Sequence, residues 1–440
     1  MPRYRAIRLA CFLVLFVSCS RGEPEGKRAP AQGFQHGKPP AAVPTASSPA
    51  TSVYFSDRAG GGLAQIVEAD GLVRVVHDGR AGKGYATVGD LALSADGKRC
   101  AYAALLDGRW RMVVDGREGT PFDVVRAPAF SPDGKHLAYQ VKDGALWHLV
   151  LDATVGPGSR GRLLGPEFGG DSRRIAYVED LDDRGEGQLV ISDLAFRSPR
   201  VIAQGVSSLH VDPRRTRFAA VVASGAQKQV LTAPLDAPER VTRSATYDSV
   251  SSVVLVGDGQ AVAFAAERAG ARVVVLDGME APIHSGHLGG PLVIVPGRKV
   301  VGAIVVSLSG AVLLQEYFAE RKPTDASYDE AEALTYSADG SHRAYAARRG
   351  ERWFAVLDGR EGPAFDRVVT PTFSPDGRSV AYRARTGGKR FVVVVRTTGD
   401  GLRLYEGHEQ VFPVRFADDG RTIAYGIRDA AEAAWKVEPL

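Results

Sequence analysis

From residue 51 to the C-terminus, apolar positions fall in short runs separated by polar clusters rich in glycine. Some runs are continuously apolar and β-branched, as at 273–276 and 392–395, while others alternate apolar with polar side chains. Both patterns predict strands, and the glycine clusters between them predict tight turns. Only the acidic stretch 329–332 carries a weak hint of helical periodicity. The pattern therefore predicts an all-β chain.

The runs also recur. Ser94-Ala95-Asp96-Gly97 leads to Ala101-Tyr102, and Ser337-Ala338-Asp339-Gly340 leads to Ala344-Tyr345. Likewise Phe130-Ser131-Pro132-Asp133-Gly134 leads to Ala138-Tyr139, and Phe373-Ser374-Pro375-Asp376-Gly377 to Ala381-Tyr382. The steps from Asp96 to Asp133 and from Asp339 to Asp376 are both 37 residues, with weaker copies at Asp171, Asp212, Asp258 and Asp419 and a degenerate one at Pro296-Gly297. A fixed period of this size predicts a solenoid or a propeller. Proline suits the first central turn position and glycine supplies positive φ, so each copy reads as a hairpin turn. Four short strands per repeat make a propeller blade. A helical solenoid would need a helix in every repeat.

Two further recurrences support this reading. Trp110, Trp147, Trp353 and Trp435 follow their turns by fourteen to sixteen residues, at the start of each third strand. One repeated position predicts packing between blades, since a ligand cage would use unlike positions. Asp115-Gly116-Arg117-Glu118 and Asp358-Gly359-Arg360-Glu361, with looser copies at Asp78 and Asp277, read as turns from third to fourth strand. Their regularity predicts a structural role.

The Phe-Ser-Pro-Asp-Gly turn followed by an Ala-Tyr strand resembles the TolB-type, WD40-like propeller repeat. The resemblance spans nearly all of 52–440 and implies a single β-propeller. Nine turn positions predict about eight or nine four-stranded blades, with 288–333 either a degenerate blade or an insertion. The C-terminal piece offers about three strands, so an N-terminal strand is expected to complete the last blade and hide its edge.

Composition adds to this picture. The 440 residues are 44% hydrophobic and 24% charged, which excludes a disordered polyelectrolyte and a multi-span membrane protein. The 50 glycines fit many hairpins. Three cysteines are too few for a disulfide framework or a thiolate zinc site. A net charge of +4 asks for no nucleic acid.

The first fifty residues read as an export device. Arg3, Arg5 and Arg8 precede an apolar run from Leu9 to Val17 that is too short to span a bilayer but suits a signal peptide. Phe16-Val17-Ser18-Cys19 resembles the bacterial lipobox, which implies cleavage after residue 18 and lipidation of Cys19. An ordinary signal peptide is the alternative. Residues 19–50, rich in Pro, Ala and Ser, read as a flexible tether to a propeller at 51–440. The expected setting is the periplasm or outer-membrane surface, with the membrane touched through the lipid alone.

Candidate chemistry is sparse. Gly156-Pro157-Gly158-Ser159-Arg160-Gly161 matches the dinucleotide fingerprint as a string but lacks the helix that binds pyrophosphate. His284 and His287 supply two ligands, short of a zinc site. Glu179, Asp180, Asp182, Asp183 and Glu186 crowd one hairpin and would offer oxygen ligands to calcium; no other cofactor is expected. On the same predicted face, Arg348, Arg349, Arg352, Arg385, Lys389 and Arg390 form a basic sector opposed to that acidic loop, a candidate partner-binding surface. The function expected is binding or scaffolding of an envelope protein, peptide or glycan. The alternative is a hydrolase or lyase with its site at the central channel mouth.

Overall fold

The turn at 131–134 shows how the repeat folds locally. Ser131 is buried, its hydroxyl donates to Asp133 at 2.6 Å, and it accepts the His136 amide at 3.0 Å. Gly134 closes the turn at φ +71° and rests against Ser94 of the preceding blade. The chain is then returned as a second strand whose alternate residues face opposite neighbours. Ser94, Ser337 and Ser374 repeat the same hydroxyl-to-aspartate bond.

The computed structural model describes residues 50–56, 61–255, 261–284, 286–319, 327–399, 401–418, 420–430 and 432–440. The expected signal peptide, Cys19 and all of the expected tether but Ala50 lie outside these residues, as do the turn residues Asp258 and Asp419. No helix occurs among the described residues, and none is therefore long and apolar enough to cross a membrane. Among the described residues, eight sheets have four strands each and one has seven, all antiparallel between neighbours. The seven-stranded sheet holds two repeats joined by one long strand, Arg200–Val211, which leaves one blade as its outer strand and enters the next as its inner strand.

The protein is a β-propeller, and its interfaces fix the number of blades. Ten blades follow in order at 50–85, 87–122, 124–159, 162–203, 206–243, 249–282, 287–317, 330–361, 367–404 and 410–439. Ten buried apolar clusters each join one blade to its successor. The last of them joins blade 10 to blade 1, through Val53, Phe55 and Leu63 on one side and Phe412, Ala433 and Trp435 on the other. The four tryptophans all lie in such interblade clusters, as their shared position predicts. Aromatic rings extend the seams edge-to-face, as in Tyr85–Tyr102 at 6.1 Å and Phe365–Tyr382 at 6.3 Å.

Three sequence expectations are corrected here. The described residues form ten blades where about eight or nine were expected, because residues 50–85 form a complete blade of their own. The link between its first two strands, from Ser56 to Gly62, carries neither the Ser-Ala-Asp-Gly nor the Ser-Pro-Asp-Gly sequence of the clearest copies. Correspondingly, the strand Ala50–Phe55 does not complete the last blade; it pairs with Leu63–Ala69 as the inner strand of blade 1. Among the described residues, the outermost strand of blade 10, Glu432–Pro439, pairs only with Thr422–Asp429. Closure is made by side-chain packing. The stretch 288–333 is no insertion: it carries blade 7 and the start of blade 8, and 330–336 is a strand.

Candidate functional site

Most of the repeating polar residues tie the fold together. In five blades the aspartate that opens the turn from third to fourth strand accepts the first amide of the second strand. Asp78 takes Leu63 at 2.9 Å, Asp115 takes Cys100 at 3.0 Å, Asp152 takes Leu137 at 2.9 Å, Asp277 takes Val262 at 3.0 Å and Asp358 takes Arg343 at 2.9 Å. The glutamate of the same element reaches the preceding blade: Tyr85 donates to Glu118 at 3.1 Å, and Tyr247 to Glu280 at 2.8 Å.

A third tie was missed in the sequence. An aspartate or glutamate just before an inner strand accepts an amide in the turn between the second and third strands, 21 residues on. Asp123 takes Gly144, Asp248 takes Ala269 and Asp329 takes Gly350, each at 2.7 Å, while Glu409 takes Ala430 at 2.8 Å. The signal was present as an aromatic–acidic pair, in Phe122-Asp123, Tyr247-Asp248, Tyr328-Asp329 and Phe365-Asp366.

This latch occupies much of the expected basic sector. Arg348 reaches Glu330 at 2.7 Å and Asp329 at 3.8 Å, Arg349 reaches Glu361 at 2.9 Å, and Arg352 reaches Asp366 at 2.6 Å. Arg390 donates to the Glu409 carbonyl, and Lys389 lies close enough to favour the ionised form of Asp429. Arg385 stands between Arg367 and Arg390 in the strand register. The sector therefore carries its own counter-charges.

The acidic hairpin of blade 4 is similarly occupied. Asp182 accepts the amides of Arg184 and Glu186, each at 2.9 Å. Glu186 pairs with Lys228, and Asp180 accepts Ser159 Oγ and the Arg160 amide on the opposite side. Glu179 titrates above the usual range because burial and Asp180 both oppose its charge. The five carboxylates do not form a group that could hold a metal ion. Among the described residues, no three His, Cys, Asp or Glu side chains stand where they could hold a metal ion, the exposed His284 and His287 included. The 156–161 string runs through the outer strand Thr154–Ser159 and its link to blade 4.

Polar side chains that differ from blade to blade lie along the inner strands. These strands bend at mid-length through a bulge, where Ala127, Ser252, Ala333 and Thr370 take φ between +51° and +56°. Non-glycine residues seldom adopt this conformation, and such bulges re-aim the side chains beside them. Just before the bulge of blade 8, Glu332 receives Arg367 of blade 9 at 2.8 and 2.9 Å, and Arg367 lies 3.8 Å from the Trp353 ring centroid. Arg383 bridges Thr370 Oγ1 and the Val411 carbonyl, each at 3.0 Å. In blade 5, burial lowers His210 to about 4, so it is neutral at pH 7 beside Ser208. The inner wall is the candidate site.

No family model and no curated protein matches the chain. Among solved structures, it is similar to the β-propeller domain of the Trilobed protease from Pyrococcus furiosus, described as having an open velcro topology. Identity is 12%, over 63% of this chain and 94% of that one, with a TM-score of 0.36. An oligogalacturonate lyase in complex with manganese matches at 14% identity, over 80% and 98% of the two chains, with a TM-score of 0.37. TolB from Acinetobacter baumannii matches at 16% identity, over 73% and 79%, with a TM-score of 0.26. The propeller assignment rests on the sheets and the ten interblade clusters of this chain.

Proposed function

We propose that the protein is a non-enzymatic binding module of the bacterial cell envelope. In this reading Cys19 carries a lipid anchor, residues 19–50 provide reach, and the inner wall of the ring receives an envelope protein, peptide or glycan. The observation that carries the reading is how the polar side chains divide. Those repeating with the blade period are taken up by hydrogen bonds within and between blades. Those that change between blades, such as Asp90, Arg126, Glu332 and Arg367, sit on the bent inner strands. A repeating frame with a non-repeating wall suits recognition.

Two experiments bear on it. Fractionation of cells expressing Cys19→Ala should move the protein from membrane to soluble fractions, and unchanged membrane partitioning contradicts the anchor. Affinity capture from native envelopes should return a discrete partner, whereas purified protein that retains nothing contradicts the binding role.

A further inference from the structure

One interblade position is filled in two opposite ways. Between blades 8 and 9, the residue before the bulge is Glu332, opposite Ala346, and the residue reaching it is Arg367, three positions before the bulge at Thr370. Between blades 3 and 4, the residue before the bulge is Arg126, opposite Gln140. The residue three positions before the blade 4 bulge at Gly165 is Arg162. The slot that holds a glutamate–arginine ion pair in one place therefore holds two arginines in the other.

A tryptophan of the earlier blade backs each slot, but with a different partner: Trp353 of blade 8 carries Arg367 of blade 9, whereas Trp147 of blade 3 carries Arg126 of its own blade at 4.3 Å from the ring centroid. Among the described residues, neither guanidinium is held in an ion pair, and Asp90 acts on Arg126 only through its longer-range field. Arg126 Nε donates to the neutral Gln140 at 3.0 Å, and Gln140 in turn donates to the Gly165 carbonyl at 2.6 Å. Asp90, the acidic group acting on Arg126, already accepts the Ala127 amide at 2.9 Å. Asp180, beside the register partner of Arg162, is occupied by Ser159 and the amides of Arg160 and Gly161. Among the described residues, no carboxylate stands at ion-pair distance from either arginine. Burial and the Arg162 charge both disfavour the protonated form of Arg126.

We propose that the Arg126–Arg162 slot binds an oxyanion, a carboxylate or phosphate group of the ligand that enters the inner wall. The anion supplies the negative charge that Glu332 supplies between blades 8 and 9, bridged by two guanidinium forks whose geometry matches two oxygens. Gln140 holds Arg126 in register, and Trp147 backs it. This inference rests on the binding-module reading and supplies the chemistry of its site.

The test uses the full mature chain at low ionic strength, titrated separately with inorganic phosphate and with acetate and followed by thermal unfolding and calorimetry. Saturable binding is expected for at least one anion, and the preferred probe distinguishes a phosphate source from a carboxylate source. Arg126→Glu rebuilds the Glu332–Arg367 arrangement, so it should fold, unfold at a higher temperature than wild type without anion, and bind the preferred anion at least tenfold more weakly. Arg162→Ala should lose the binding without that gain in stability. Identical titrations for wild type and Arg126→Glu, or no saturable binding of either anion, overturn the proposal. If anions fail to bind while envelope capture still returns a partner, the slot assignment falls and the binding role stands.

Discussion

Replacing Gly426 by alanine would place a methyl group 2.3 to 2.6 Å from three ring atoms of Phe55, across the seam between blades 10 and 1. The ring cannot swing aside, because Phe412 and Trp435 hold it with centroids at 4.7 and 4.8 Å. Gly426 lies within a strand, so alanine fits the backbone there and the penalty comes from crowding. Overpacking of this kind costs about 1–3 kcal/mol. Phe55→Ala opens a cavity and costs about 3–5 kcal/mol. In the double variant the clash is gone and the added methyl fills part of the space, so the total should stay near that of Phe55→Ala alone. The resulting coupling, about 1–3 kcal/mol, falls in the range for side chains in contact. Denaturant unfolding of the four proteins gives the cycle, provided that far-UV and tryptophan-fluorescence transitions coincide. If the two substitutions add to within about 0.5 kcal/mol, Phe55 and Gly426 do not meet and the ring is not closed as described.

Other expectations follow from the ties. Asp358→Ala removes the acceptor of the Arg343 amide and should cost about 1–2 kcal/mol in denaturant titration. Asp358→Asn keeps an acceptor and tolerates φ +50°, so it should recover most of that loss; equal losses would refute the clamp. The Ser131 hydroxyl holds Asp133 at about 2, below its ordinary value of 3.8. A depressed carboxylate stabilises the fold above its unfolded value and loses that contribution as pH falls through the folded one. The stability gap between wild type and Ser131→Ala should therefore be present at pH 7 and shrink from pH 4 to pH 2; a constant gap contradicts the role. Cys100 is buried and its thiol is pushed up to about 12, so a disulfide reagent at pH 8 should modify it only after unfolding.

Much of the fold was legible because a blade is a local object. The hairpin turn of 131–134, the Asp115-Gly116 turn and the tryptophan position all lie within one repeat, where spacing carries the information. Blade 1 was not counted because its first turn lost the signature residues while keeping the strands. Asp212 shows a subtler loss. It stands at the serine position of the turn, fully buried, and accepts the Thr216 and Arg217 amides itself. The partners of the basic sector were hidden for another reason. Arg352 meets Asp366 and Arg349 meets Glu361 by hairpin geometry, which a charge pattern does not contain. The Arg126–Arg162 slot was least legible of all. Only the alignment of two bulges brings those residues to equivalent sites, and in the sequence they are ordinary arginines in an arginine-rich chain.

The proposed division, in which repeating polar residues maintain the ring and the non-repeating inner wall performs recognition, is open to affinity capture from native envelopes with wild type, an Arg348→Glu/Arg349→Glu variant and an Arg126→Glu/Arg162→Glu variant in parallel. All three proteins are first matched for folded content by far-UV dichroism. The first variant should retain the wild-type partner and the second should lose it. Loss of the partner on reversal of Arg348 and Arg349, with retention on reversal of Arg126 and Arg162, would contradict the division.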